Sequence, residues 1–124
     1  MKRDMDLIRK LLFTMEGRSW PQMGAITSIE GYQDNEINYH LFIMQDAGLV
    51  EGMDMSSSKG RHFHVRRMTW AGHEFLEAAR DEERWQAVKG EMEQAGGFVF
   101  SVAKTLLVES MRRKVGLSDR DGAP

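Results

Sequence analysis

Apolar residues near the start of the chain recur at helical intervals. Those at positions 5, 8, 11, 12 and 15 fall on one face of a helix. We expect Asp4 to cap this helix at its N-terminus, the helix to run to about Met15, and Gly17 to end it. Residues 18–31 show no helical period, and residues 25–29 could form a short strand. Trp20-Pro21 favours extended backbone in this segment.

A second helix is predicted over residues 35–47, with Asp34 as its N-cap and Glu36 at the positive end of its dipole. Gly48 can adopt the left-handed conformation that ends many helices. The residues expected to share the inward face are Ile37, His40, Leu41, Met44 and Ala47.

Two strands joined by a Ser- and Gly-rich loop are predicted next, over residues 49–54 and 62–68. Thr69 should cap a third helix that turns Phe75, Leu76 and Ala79 inward. The order helix, hairpin, helix is that of a winged helix. The expected fold class is therefore α+β, a winged helix with a helical C-terminal extension.

The C-terminal extension has its own start and stop signals. Asp81 precedes a helical pattern that carries Trp85, Val88 and Met92, and Gly96-Gly97 interrupts it. The last helix is expected over residues 99–115, with apolar residues on more than one face. This helix is either buried centrally or paired with a second copy. Of these we expect pairing, a homodimer through this helix, with Leu106 and Leu107 as interface candidates.

Composition limits the classes of protein that fit. A chain of 124 residues with 41% hydrophobic residues forms one domain, expected over residues 1–117 with a flexible tail at 118–124. It has no cysteine, which excludes disulfides and thiolate chemistry. We find neither an export signal nor a membrane-spanning run, so a cytoplasmic protein without membrane contact is expected.

The net charge of −2 does not indicate a nucleic-acid binder, but the distribution of charge is uneven. Residues 34–54 carry five acidic side chains and no Lys or Arg. Residues 59–67 carry four basic side chains and no acid: Lys59, Arg61, Arg66 and Arg67. The clearest basic cluster therefore lies on the predicted hairpin.

Particular motifs resemble known families. Residues 37–50 resemble the recognition helix and first wing strand of winged-helix regulators of the MarR and PadR type, and residues 68–72 resemble the Leu-Thr-x-x-Gly step after their wing. More closely, the chain from residue 1 to about 117 resembles a family of short bacterial and phage proteins, domain of unknown function 2513. The matching motifs are Lys-Arg-Asp-Met-Asp-Leu-Ile-Arg at 2–9, Tyr-His-Leu at 39–41 and Thr-Trp-Ala-Gly-His-Glu-Phe-Leu at 69–76, with Met68 where the family has Leu. The resemblance implies the fold and a phage or prophage origin.

Two features depart from winged helices that bind DNA. No separate helix is predicted before the Asp34 helix, although a helix-turn-helix uses one to set the second helix in the groove. The expected outward positions of the second helix are Asn35, Asn38, Tyr39, Phe42 and Asp46. Asn35 and Asn38 could read adenine and Phe42 could touch a thymine methyl, but Asp46 would repel phosphate.

The candidate site residues support two kinds of partner. Lys59, Arg61, Arg66 and Arg67 could contact DNA phosphates, or they could be solvated and paired with the nearby acidic segment. Tyr39 and Phe42 could form a protein interface, or they could be buried under Trp20, Ile26 and Ile29. We expect burial for Tyr39 and an interface for Phe42.

No catalytic pattern is found. His62 and His64 have a possible ligand spacing on a strand, but no cysteine is near, and His40 and His73 are expected to be packed. Residues 56–58 are three serines without a base partner. We therefore expect no enzyme, no metal and no cofactor.

Two function classes follow from these residues. The first, which the sequence favours, is a regulatory or accessory protein that binds duplex DNA. The second is a protein-interaction module that binds a host or phage protein. A continuous positive face would favour DNA, whereas isolated basic patches would favour protein.

Overall fold

The computed structural model describes residues 1–116, which form five helices and one three-stranded antiparallel sheet. The described residues therefore have the expected α+β class. The elements are α1 (Met5–Glu16), β1 (Gly24–Ala25), α2 (Asp34–Asp46), β2 (Val50–Asp54), β3 (Phe63–Met68), α3 (Trp70–Ala79), α4 (Glu82–Gln94) and α5 (Phe100–Lys114).

The chain divides into two compact units. The first is Met1–Leu76 and the second begins at Glu77, so the division falls within α3. A single domain over residues 1–117 stays a prediction, and the tail expected at 118–124 lies outside the described residues.

Helix α1 begins and ends as the sequence predicts. The Asp4 carboxylate accepts a hydrogen bond from the Leu7 backbone N–H at 3.1 Å, which confirms Asp4 as the N-cap. Gly17 follows the last helical residue as predicted. The buried face comprises Met5, Leu7, Ile8, Leu11, Leu12 and Met15.

Helix α2 begins one residue earlier than expected. Its N-cap is Gln33, not Asp34, because the Glu36 carboxylate accepts a hydrogen bond from the Gln33 backbone N–H at 3.0 Å and draws Asp34 into the first turn. Ile37, His40, Leu41 and Met44 are buried as predicted. Ala47 is exposed, because the helix ends at Asp46.

His40 connects α2 to the start of α1. Its Nε2 accepts a hydrogen bond from the Asp4 backbone N–H at 2.8 Å, and its Nδ1 lies 2.7 Å from the Glu36 carbonyl oxygen. These partners assign the neutral tautomer that carries its proton on Nδ1. The expectation that His40 is packed is confirmed, whereas His73 is exposed.

The sheet has the order β1-β3-β2, with β1 and β2 at its edges. Strand β1 is shorter than residues 25–29, and it pairs Gly24 with Val65. Side chains form hydrogen bonds with backbone groups of both edge strands. The Arg18 guanidinium donates to the Ala25 carbonyl oxygen at 2.8 Å, and the Gln45 amide oxygen accepts from the Gly52 N–H at 2.9 Å. Such contacts limit pairing with further strands.

The register of the hairpin shifts between Glu51 and Gly52, where Arg66 of β3 is the extra residue of a bulge. Position 52 requires glycine because an added Cβ would lie 2.5 Å from Cε1 of the buried Phe63 ring. The hairpin thus closes over Phe63 only while position 52 carries no side chain.

The helix starts predicted at Thr69 and Asp81 are confirmed. The Thr69 hydroxyl accepts from the Gly72 N–H at 3.0 Å, and the Asp81 carboxylate accepts from the Arg84 N–H at 2.8 Å. The second of these bonds is the main cause that holds the pKa of Asp81 below its usual value. In the second unit the buried side chains include Trp85, Val88 and Met92, as predicted.

Helix α5 buries Ala103 and Leu107. Leu107 was expected at a dimer interface, but it is fully buried within its own chain and offers no surface to a second copy. Leu106 is half-buried. Dimerisation through this helix stays a prediction.

Candidate functional site

Asn38 lies inside the first unit, so the expectation that it faces outward is wrong. Its Oδ1 accepts a hydrogen bond from the Phe63 backbone N–H at 2.9 Å, and its Nδ2 donates to the Asp34 carbonyl oxygen at 3.0 Å. The side chain is buried. Strand β3 needs a partner for the Phe63 N–H, and the amide of α2 supplies it. Asn38 is therefore a structural residue that docks the hairpin on α2.

Two of the predicted interface residues, Tyr39 and Phe42, meet at one open cavity of about 530 Å³ between α2 and the free end of the hairpin. We call this cavity the tip groove. It is lined by Met1, Asn35, Tyr39, Phe42, Asp54 and Arg61. Four residues predicted as binding residues on separate grounds (Asn35, Tyr39, Phe42 and Arg61) thus line one surface.

The two aromatic residues of the tip groove differ from what the sequence predicts. Tyr39 is 41% exposed, with its ring edge against His40. The expectation that it is buried is wrong, because Trp20, one of the residues expected to cover it, is itself exposed. Phe42 is half-buried, and its ring packs edge-on against Phe63 with centroids 5.2 Å apart. The groove therefore has one free and one anchored aromatic ring.

The tip groove has charged side chains of both signs, Asp54 and Arg61. Hydrogen bonds from Ser56 are the main cause that lowers the pKa of Asp54, and the Arg61 guanidinium lowers it further. The Asp54 carboxylate is therefore ionised at neutral pH, so the lining carries a negative charge as well as that of Arg61. Lys59 is exposed at the hairpin end.

The remaining two basic residues lie at the other end of the hairpin. They line a second open cavity of about 440 Å³, which we call the base patch, with Trp20, Pro21, Glu51, Val65, Arg66 and Arg67 as its lining. Arg61 precedes β3 and lines the tip groove, whereas Arg66 and Arg67 lie on β3 and line the base patch. The four basic residues of the hairpin are therefore two patches.

Arg66 and Arg67 differ in whether they form an ion pair. Arg67 forms a two-bond ion pair with the Glu51 carboxylate, including an Nε–Oε2 hydrogen bond of 3.2 Å. Of the two alternatives for the basic residues, pairing with the acidic segment is the one found for Arg67. Arg66 is exposed, and within residues 1–116 its side chain has no hydrogen bond or ion pair. Sequence reasoning did not identify Glu51 and Trp20 as site residues, because their place beside Arg66 and Arg67 arises only in the folded hairpin and the loop before β1.

Two of the hairpin serines, Ser56 and Ser57, hold its loop. Ser56 Oγ accepts from the His62 N–H at 3.1 Å, and Ser57 Oγ accepts from the Lys59 N–H at 3.2 Å. Across the described part of the chain, no group of three or more His, Cys, Asp or Glu side chains could hold a metal ion.

Similar proteins place the chain in a family. It matches the family described as hypothetical protein (DUF2513) over residues 2–98. An uncharacterized protein of Haemophilus influenzae is 34% identical over 90 residues, which cover 72% of this chain and 76% of that protein. No solved structure matches. Among the described helices, none is long and apolar enough to cross a membrane. The match covers α1 to α4, and the chain therefore belongs to the DUF2513 family.

Proposed function

We propose that this chain is a non-enzymatic binding module on a winged-helix scaffold, and that its tip groove binds a protein partner. The order of α2, the β2–β3 hairpin and α3 supports the winged-helix interpretation. Strand β1 extends the hairpin into a sheet. Residues 17–33 contain no helix, so the first helix of a helix-turn-helix is missing.

The tip groove carries the proposal. A partly exposed tyrosine and an anchored phenylalanine offer contact area with little loss of side-chain freedom, which is typical of protein interfaces. Asn35 adds a polar group to the lining. The ionised Asp54 beside Arg61 reduces attraction for a polyanion and leaves a polar rim that suits a folded protein or a peptide segment.

Duplex DNA is the second candidate partner. Its support is that Lys59, Arg61, Arg66 and Arg67 are all exposed on the hairpin. Against it, Arg67 is paired, and the exposed residues of α2 include Asp34 and Asp46 with no Lys or Arg. Binding that weakens steeply with salt, and that is lost on Arg66→Ala plus Arg67→Ala, would support this candidate.

Three further expectations belong to the proposal. They are a cytoplasmic location, a phage or prophage origin with a host or phage protein as the partner, and a homodimer formed through the C-terminal helix. Sedimentation that gives a monomer at micromolar concentration would refute the homodimer.

Photo-crosslinking tests the protein proposal directly. A benzophenone side chain placed at Tyr39 should give one defined protein adduct in cells that produce the chain. The same group at Ala71, an exposed position outside the groove, should not give this adduct. Mass spectrometry would identify the adduct, and the purified partner would then be titrated against the whole chain.

Titration of variants separates the affinity lost with a direct contact from the affinity lost through disturbed packing. Tyr39→Ala should weaken the complex by about 2 kcal/mol or more, as for other central aromatic contacts. Phe42→Ala should also weaken it, with part of the loss caused by the missing packing on Phe63, whereas Phe42→Leu should retain more. Equal affinity of wild type, Tyr39→Ala and Phe42→Ala would refute the tip groove as the binding surface.

A further inference from the structure

Trp20 stands on a loop that is held by its neighbours. Nη1 of Arg18 donates to the carbonyl oxygens of Met23 and Ala25, at 2.7 and 2.8 Å. The Trp20 side chain is nevertheless 73% exposed. Tryptophan is highly buried on average in folded proteins. A fixed loop that leaves the ring in solvent presents a flat apolar surface to a ligand.

Next to this ring lies a cation without a partner. Arg66 lines the same cavity as Trp20, and its guanidinium is unpaired within the described residues. Glu51, the acidic residue of the lining, is occupied by Arg67. The base patch therefore combines a stacking surface with one uncompensated positive charge, unlike the tip groove.

We infer that the base patch binds an unpaired nucleotide of a single-stranded nucleic acid, with the base stacked on Trp20 and a phosphate at Arg66. An aromatic ring beside a cation is the arrangement by which proteins hold single strands. The bases of a duplex are already stacked on each other, so they cannot reach the indole. An acidic peptide would use the cation but would leave the flat ring without a matching surface.

The size of the base patch fits this ligand. Its cavity of about 440 Å³ lies within the range of small-molecule sites, roughly 300–1,000 Å³. The patch therefore has room for one nucleotide, and the strand continues into solvent on either side. Affinity per site is modest, and its salt dependence is shallow because one unpaired arginine neutralises about one phosphate.

Fluorescence anisotropy of the whole chain with labelled oligothymidine and oligouridine tests this inference. Strands of about ten nucleotides match the usual site sizes. Trp20→Ala should weaken binding about tenfold or more through lost stacking, whereas Trp20→Phe should retain part of the affinity. Arg66→Ala should weaken it and reduce the slope of log affinity against log salt by about 0.7. Tighter binding of one strand type identifies DNA or RNA as the source.

Matched controls separate the site from general exposure and charge. Trp70 is 79% exposed and does not line the base patch, so Trp70→Ala should leave binding within about twofold. Lys59→Ala removes an exposed charge at the other end of the hairpin and should have a smaller effect than Arg66→Ala. Unchanged circular dichroism would show that each variant folds. The inference is overturned if wild type binds neither oligonucleotide at low salt, or if Trp20→Ala and Trp70→Ala lose affinity equally. It is also overturned if a duplex of the same length binds as tightly as the single strand.

Discussion

The tip groove and the base patch lie at opposite ends of one hairpin and differ in how their arginines are compensated. At the tip, Arg61 shares the lining with the acidic Asp54 and two aromatic rings. At the base, Glu51 compensates Arg67, and Arg66 beside Trp20 is left unpaired. A basic run that looks uniform in the sequence therefore becomes two surfaces, one suited to a protein and one to a phosphate-bearing strand.

The difference depends on partners that are distant in sequence. Asp54 and Glu51 come from β2, and Trp20 comes from the loop before β1. Antiparallel pairing brings Glu51 opposite Arg67 in the register of the hairpin. Because cross-strand pairing compensates Arg67 and leaves Arg66 without a partner in the register, counting basic residues along a strand does not define a binding face.

Substitution of Gly52 by alanine should give the largest effect, since it disturbs the hairpin that carries both surfaces. The added Cβ would meet the Phe63 ring and the backbone of β3. We expect a loss of about 3 kcal/mol in the free energy of unfolding, measured by urea denaturation. Gly17→Ala is the control in the same unit, because its Cβ would meet only ordinary contacts, 3.6 Å or more away. Similar stability of both variants would refute the role of Gly52.

Substitution of Asn38 should affect the tip groove selectively. Asn38→Ala leaves the buried Phe63 N–H without its acceptor, which should cost about 2 kcal/mol. Amide hydrogen exchange should show faster exchange at Phe63, and affinity for a tip-groove partner should fall while oligonucleotide binding at the base patch persists.

Asn35 is the matched control for Asn38. It is an exposed asparagine of the same helix, so Asn35→Ala should change the free energy of unfolding by less than about 0.5 kcal/mol. Equal destabilisation by the two substitutions would contradict the structural role of Asn38.

Much of the first unit could be predicted from sequence, because its helix and hairpin signals are local. The Asp4 and Thr69 caps and the helical intervals of α1 and α2 lie within a few residues of the structure that they specify. The burial of Asn38 could not be predicted in this way. It depends on the Phe63 N–H, 25 positions away, which becomes a neighbour only after the hairpin docks.

The candidate site could be predicted only in part, because it too depends on residues that are distant in sequence. Residue type alone marked Tyr39, Phe42 and Arg61 as binding residues, and they do share a surface. Which ring is exposed and which arginine is paired depends on the folded arrangement, including the bulge at which Arg66 is the extra residue of β3. These features have no periodic signal in the sequence.

Substitution of Glu51 should give the smallest effect, because it changes only the charge of the base patch. Glu51→Gln frees Arg67, so the base patch gains an uncompensated charge, and oligonucleotide affinity should rise roughly threefold at low salt. Binding at the tip groove should not change. Glu77→Gln removes a similar acid from an exposed pair with Arg80 and serves as the control. A gain of the same size in both variants would show that net charge, and not the base patch, controls binding.

Parallel photo-crosslinking at Tyr39 and at Trp20 tests the division of the hairpin into two surfaces most directly. The same benzophenone group would be placed at each position in the whole chain, and the mass of each adduct would be measured before and after nuclease treatment. We predict a nuclease-resistant protein adduct from Tyr39 and a nuclease-sensitive adduct from Trp20. The same class of adduct from both positions would contradict the account.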